Sequence, residues 1–569
     1  MCALDDPETP PFHYVPYKEY WNPPYSRTSK RIYGELYSSD VWLEAHEKIR
    51  AIPAKDGLEN FMIPIMLYSD STHLANFGNT SLWPLYMYFG SQSKLARSKS
   101  TGHVCHHMAY FPSLPASIQD AYKDYFGRTA SADALTFLKC ELMQAVLKLV
   151  LFQPDFLEAY TEGITFICSD GVTQRLFPRF MVYSADYPER MLVATLRNNA
   201  QYPCPSCLIS RARKLIFEHG KGVESKVMND ILSEESLVPV NNAFSALIEH
   251  DFNFFTLFVP DLMHEFELGV WKSLLIHLIR ILCAQGGDLT AIFNNRFCSV
   301  PTFSNSTIRR FIKNTASMTK LAARDFEDIL SCIIPVFHGI LEEEEHLEII
   351  LDLLFDMVNW HALAKLRVHT ETTVCLLEEA TKQIGRQIRY FKATTCRAYK
   401  TKELKKEVIA RGRRKAALLA KQGSNSQMQD KTKQEPKHKE FNINTPKVHS
   451  LGKYAQRIRM FGTTDSYSMQ IGESQHKHIK CLYGRTNKKN AARDVCILEG
   501  QAREFHKIEM RVSEANGLKG QGTESDNLSK ASPEVHHHIA WSKKDWVHIH
   551  AWLDENEGDP ALENFLPQL

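Results

Sequence analysis

FMIPIMLYSD, Phe61 to Asp70, is an apolar run of strand length that ends in an acid. SLWPLYMYFG (Ser81–Gly90) and HVCHHMAYFPSLP (His103–Pro115) follow it, each bounded by Gly, Asn, Ser or Pro. Runs of this kind read as strands, so three successive strands are expected. Ala116 to Phe126 and Ala132 to Phe152 read as helices, the second with Leu, Phe and Val at helical spacing. Strand character returns in ITFICSDG and in RLFPRFMVYSAD, which again ends in an acid, Asp186. The order strand, strand, strand, helix, strand predicts an α/β core. Asp70 and Asp186 then stand at corresponding ends of neighbouring strands, where open sheets border a ligand crevice. An acid is also a common way for a chain to leave a sheet, so both readings stand at this point.

Before this core, Pro10 to Pro24 (PPFHYVPYKEYWNPP) reads as an extended arm and Ser38 to Ile52 as a helix. Beyond it the pattern turns helical. Asp261 to Cys283 begins with an N-cap acid, and Thr307–Thr315, Asp325–Phe337, His346–Leu366 and Thr370–Tyr390 continue the helical spacing. A basic helix, Tyr399 to Lys421, runs into the polar linker GSNSQMQDKTKQEPKHKE. Val448–Phe461 and Ser466–Leu482 read as helices, and Ser513 to Ser532 as a loose tail. The expected organisation is an arm and helix over 1–58, the first part of the core over 59–285, a large all-α insertion over 286–440 ending in the basic linker, completion of the core over 441–512, and a tail over 513–569.

Composition narrows the classes. The 569 residues suggest about three to four domain-sized pieces at roughly 150 residues each. With 44% hydrophobic and 24% charged residues, wholesale disorder and fibrous rods are excluded. No run reaches 18 uninterrupted apolar residues and the start lacks a secretory pattern, so neither membrane nor secretion is expected, which leaves nucleus or cytosol. Thirteen cysteines with one close pair do not form a disulfide framework, which points any special cysteine chemistry toward metal. The net charge of +2 is unevenly placed: Phe391 to Glu440 holds fifteen Lys and Arg against five Asp and Glu, or +10, so the remainder sums to 2 − 10 = −8. Such a block binds a polyanion or forms a solvated arm.

Two further motifs could carry chemistry. Cys204-Pro-Ser-Cys207 sets two thiolates at a spacing that shares one tetrahedral zinc but supplies half its ligands. Asp261-Leu-Met-His264 puts acid and imidazole one turn apart, as part of a metal site or as a cap beside a surface histidine, with Glu265 and Glu267 behind. The cluster His103, Cys105, His106, His107 reads as strand residues, and His536–His538 as a polar run.

The strings LYSDSTHLANFGNTSLWPLYMYFGSQSK, YSADYPERMLVATLRNNAQYPCPSC, DLMHEFELGVWKSLLIHLIRI and KVHSLGKYAQRIRMFGTTDSYSMQIGESQHKHIK together resemble the Plavaka transposases of fungal DNA transposons, relatives of the CACTA (En/Spm) group. The resemblance spans roughly Tyr17 to Lys489. It implies a ribonuclease H-like core interrupted by a helical domain, with an Asp, Asp, Glu triad that falls on Asp70, Asp186 and Glu473, Glu265 and Glu267 being rival third acids. It implies DNA cleavage and strand transfer in the nucleus with Mg²⁺ or Mn²⁺, because in-line phosphodiester displacement uses two such ions. Asp261 and His264 resemble a D-x-x-H element found beyond the second acid in related recombinases. By the same analogy His449 joins Cys204 and Cys207 around a structural zinc; Asn444 stands where a fourth ligand would be expected. The basic block, with Arg411, Arg413, Arg414 and Lys415, is expected to contact phosphates. Partners are DNA and, as an open option, further copies of the chain. No zinc finger precedes Tyr17, which keeps a second reading in view: a truncated or inactive transposon-derived relic that binds DNA without cutting it.

Overall fold

The computed structural model describes residues 12–515 except 25–27, 55, 76–79, 101, 169–170, 198–203, 206–236, 251, 304–306, 312–313, 318–320 and 422–434, together with residue 553; within helices, 417–421, 510 and 513–515 are described by backbone alone. Its centre is a five-stranded mixed sheet, and the fold is mixed α/β. In chain order the strands are β1 (Asn60–Ser69), β2 (Pro84–Phe89), β3 (His106–Tyr110), β4 (Ile164–Ile167) and β5 (Thr173–Ser184), arranged β3-β2-β1-β5-β4. Every residue of β1 is buried, as expected of a central strand with both faces covered. Pro64 cannot donate to the ladder, and a register shift between Ile65 and Met66 follows directly after it, where a central proline is tolerated.

β1 and β5 run parallel, with Tyr68 opposite Ser184, while the other neighbouring pairs are antiparallel. Ile65 and Leu67 of β1 join a cluster containing Leu147 and Leu151 from α2 (Ala132–Leu151). Met66 and Tyr68 join a second cluster with Trp42 of α1 (Asp40–Arg50). The sheet is therefore sandwiched between helical layers.

A third apolar cluster unites α4 (Lys272–Gln285), α5 (Ala323–Phe337), α6 (Glu344–Ala364), α7 (Glu371–Ala393) and α9 (Tyr454–Phe461) around Trp271, Trp360 and Phe391. A short helix, α3 (Tyr187–Val193), follows β5, and α8 (Lys405–Lys421), α10 (Met469–Gly484) and α11 (Ala491–Ala515) complete the elements used below. Among the described residues no helix is long and apolar enough to cross a membrane. The arm contributes Glu19–Trp21 to a small antiparallel sheet whose far strand is His369–Thr370, so the start of the chain is laced to the helical body.

Four local readings need correction. Thr307–Thr315 is not a helix: Phe303 and Ile308 pair as an antiparallel bridge and Phe311 lies on Phe297 at 5.0 Å between ring centroids, so extended chain covers that apolar site. The basic helix starts at Lys405 rather than Tyr399, because Thr401 is held by backbone and hydroxyl bonds to Lys439. Val448–Phe461 is divided by a 3₁₀ turn at Leu451–Lys453. Asp261–Cys283 opens as a π-helix over Met263–Trp271. There a Cβ on Gly269 would lie 2.9 Å from the His264 carbonyl and 2.6 Å from Lys447 Cδ. Glycine thus lets Lys447 Nζ reach that carbonyl at 2.8 Å.

Gly462 ends α9 with φ +85° and ψ −167°, a region essentially reserved for glycine, and a Cβ there would lie 2.7 Å from the Gly34 carbonyl. Thr463, next in line, donates its N–H to the same carbonyl at 3.1 Å. Gly462→Ala is therefore expected to cost about 2–3 kcal/mol of stability, measured by denaturant unfolding; a variant as stable as the parent would remove this contact from the account.

Candidate acidic site

Asp70 is the first residue after β1, and Asp186 is the second after β5. Because these strands are parallel neighbours, both acids leave the same end of the sheet. Asp186 is also the N-cap of α3: its Oδ1 accepts the Glu189 N–H at 2.9 Å. Capping of α3 and clustering with the other acids are compatible, since one oxygen caps the helix.

Glu473 comes from α10, which lies across the end of β1. Gly472 makes the approach possible, for a Cβ there would meet Tyr68 Cβ at 3.2 Å. Asp261 fixes this helix from the other side. Its Oδ1 accepts the Met469 N–H at 3.1 Å, while its Oδ2 accepts the His264 N–H at 3.0 Å and contacts His264 Nδ1 at 2.7 Å. The opposite nitrogen of that ring, Nε2, lies 3.5 Å from Glu473 Oε1. Asp261 is thus a buried junction, and His264 a bridge from it to Glu473 rather than a surface histidine.

The rival third acids are engaged elsewhere. Glu265 forms a buried ion pair with Arg190, and Glu267 pairs with His361 at 3.0 Å and Lys365 at 3.6 Å. Glu473 keeps a third of its side chain exposed, facing the cluster.

Electrostatics records the crowding. Burial, reinforced by the Asp186 charge, pushes the Asp70 carboxyl up to about 6. Burial pushes Glu473 up to about 7, with Asp70, Asp261 and Asp186 adding and His264 opposing. Burial works against charge on His264, yet the Asp261 hydrogen bond and charge raise it to about 9, so the ring is an imidazolium at neutral pH. His476 Nδ1 lies 4.0 Å from Asp70 Oδ2.

Two neighbours escaped the sequence reading. Glu189 is buried, pushed up to about 8 by burial, and accepts a hydrogen bond from the Ser69 hydroxyl. The spacing Asp186-x-x-Glu189 resembles a capping box, which conceals any other use of the glutamate. Lys447, described above, had no signal in sequence because a fold-back of the chain brings it to the π-helix.

Cys204 and His449 line one small cavity of about 30 Å³, beside Tyr187, Arg190, Glu265 and Lys453, and Lys453 Nζ contacts Cys204 Sγ. Cys207 and His536–His538 lie outside the described residues. Asn444 is exposed and its N–H turns to Asn442 Oδ1 at 2.9 Å. His106 and His107 belong to β3, where Arg503 of α11 holds His106 Nδ1 at 3.0 Å, whereas His103 and Cys105 precede the strand, which corrects the reading for those two. In the basic block Arg411 is committed to Glu403 at 2.9 Å, whereas Arg413, Arg414 and Lys415 are exposed. Among the described residues no three His, Cys, Asp or Glu side chains are gathered tightly enough to hold an ion. The acids nonetheless suit a hard divalent cation, since oxygen donors crowded against like charge are what such an ion relieves. The thiol and imidazole on one cavity likewise suit zinc.

A mixed sheet with acids from distant segments collected at one end of two parallel strands defines an α/β protein with a candidate acidic centre. Residues 9–279, a little under half of the chain, match the family model described as Plavaka transposase. No curated protein matches the chain.

Proposed function

We propose that the chain is the core of a DDE-type transposase, with Asp70, Asp186 and Glu473 as the triad of a ribonuclease H-like core that cleaves and joins DNA. The observation that carries this reading is the meeting of the three acids, which are more than a hundred residues apart in sequence, at one partly open cluster. Mg²⁺ or Mn²⁺ bound by these acids would activate the attacking oxygen and stabilise the leaving oxygen of an in-line displacement. The protein's own contribution is positional. The end of β1 fixes Asp70, the cap of α3 fixes Asp186, and the Asp261–His264 bridge holds Glu473 toward them. A structural zinc held by Cys204, Cys207 and His449 would tie the segment after α3 to the start of the final helices. Nuclear location follows from the substrate.

The test is nicking of supercoiled plasmid by the full chain with Mg²⁺ or Mn²⁺. A chain that binds plasmid without nicking it under either ion favours the inactive relic.

The exposed cations of α8 belong to the same reading. Replacing Arg413, Arg414 and Lys415 together by Ala is expected to flatten the slope of log affinity against log salt by up to about 2.7, from about 0.9 per lost phosphate contact. Arg411→Ala should instead lower stability, since it strands Glu403. An unchanged slope in the triple variant would assign α8 to a solvated arm.

A further inference from the structure

The acidic cluster presents a difficulty for a polyanionic substrate. Asp70, Asp186, Asp261 and Glu473 gather at the place where phosphates must come, with Asp186 and Asp261 adding their charge against Asp70 and Glu473, and the offsetting cations are the His264 ring, 3.5 Å from Glu473, and Lys447 beside Asp186 and Asp261. The helix that carries Glu473 supplies the opposite sign as it leaves the site. From Ser474 to Arg493 the chain has six Lys and Arg (Lys477, Lys480, Arg485, Lys488, Lys489 and Arg493) and no Asp or Glu. All six are exposed, and none is paired to a carboxylate among the described residues. Lys477 and Lys480 stand four and seven residues beyond Glu473, on the same face of α10, about 6 Å and about 10 Å further along its axis. This contrasts with Arg411, whose charge is spent on Glu403.

We propose that the exposed edge from Lys477 to Arg493 is the track on which the DNA backbone lies as it enters the acidic site. Lys477 and Lys480 take phosphates next to the one under attack, and Arg485, Lys488 and Lys489 take those further out. This rests on the reading of Glu473 as a catalytic acid. Contacts of this kind position a duplex without reading its sequence.

The experiment measures binding of the full chain to a duplex of arbitrary sequence at several salt concentrations. It compares the parent, Lys477→Ala with Lys480→Ala, Arg485→Ala with Lys488→Ala and Lys489→Ala, and Glu473→Gln. Each lost phosphate contact removes roughly 0.9 from the salt slope, so the double and triple variants are expected to flatten it by up to about 1.8 and about 2.7. Slopes equal to the parent's in both multiple variants overturn the proposal, even if plasmid nicking depends on the acids. Flattened slopes with Glu473→Gln still nicking plasmid at the parent rate support the track while overturning the catalytic reading of Glu473. Binding of anionic vesicles or acidic peptide with the same dependence on these lysines, and none for DNA, also overturns it.

Discussion

Asp70→Asn is expected to reduce metal-dependent plasmid nicking by about a thousandfold or more, and at the same time to make the metal-free protein more stable at pH 8. The first effect corresponds to about 4 kcal/mol of transition-state stabilisation, the scale on which a single fixed electrostatic group acts in a reaction centre. The second follows from the crowding. Asp70 and Glu473 are pushed up to about 6 and about 7 in the fold, above ordinary carboxylate values of about 4. A group whose folded pKa is raised contributes no penalty below its unfolded pKa and destabilises progressively as pH rises through the folded one. The metal-free parent should therefore lose stability between about pH 4 and about pH 7, and Asp70→Asn should lose less. The gain at pH 8 is on the order of 1–2 kcal/mol, and it should vanish near pH 4. Denaturant unfolding at both pH values, with chelator present, reads it. A loss of stability at pH 8 would make Asp70 a structural acceptor rather than an acid held ready for a cation.

Replacing Cys204 and Cys207 together by Ser should remove a structural zinc. The parent is expected to carry about one zinc per chain and the double variant none, with a large loss of stability, since structural zinc contributes up to about 10 kcal/mol or more to folding in small zinc domains. His449→Ala should weaken retention without abolishing it, because two thiolates remain. The shared cavity of Cys204 and His449 motivates the expectation. Equal zinc content in the parent and the double variant would contradict it.

Much of the sheet is legible in the sequence because its strands are short apolar runs closed by turn residues or acids. FMIPIMLYSD and RLFPRFMVYSAD mark β1 and β5 to within a few residues, and with them the acids that follow. Parallel pairing of these two strands is not legible, since nothing in either run names its neighbour. Glu473 follows only from resemblance. Its approach to Asp70 depends on Gly472 fitting against Tyr68 and on Asp261 accepting the Met469 N–H, contacts between segments roughly two to four hundred residues apart. Periodicity failed where backbone geometry departs from the ordinary α turn. The π-helix at Met263–Trp271 keeps a helical apolar pattern while shifting its faces, and the extended start at Tyr399–Lys402 is imposed by pairing with Lys439. The fates of Glu265 and Glu267 were likewise out of reach, because their partners Arg190 and His361 come from other elements.

Asp70, Asp186 and Glu473 are proposed to hold a divalent cation together. Calorimetric titration of the chelator-treated, metal-free chain with Mn²⁺ at pH 7.5 tests it without any DNA substrate. A binding isotherm is expected for the parent, with a loss of affinity of at least about tenfold, or about 1.4 kcal/mol, in each of Asp70→Asn, Asp186→Asn and Glu473→Gln. Asn at position 186 preserves the helix cap, so its effect would not come from unfolding. Parent-like Mn²⁺ affinity in all three variants would show that these acids do not share a cation.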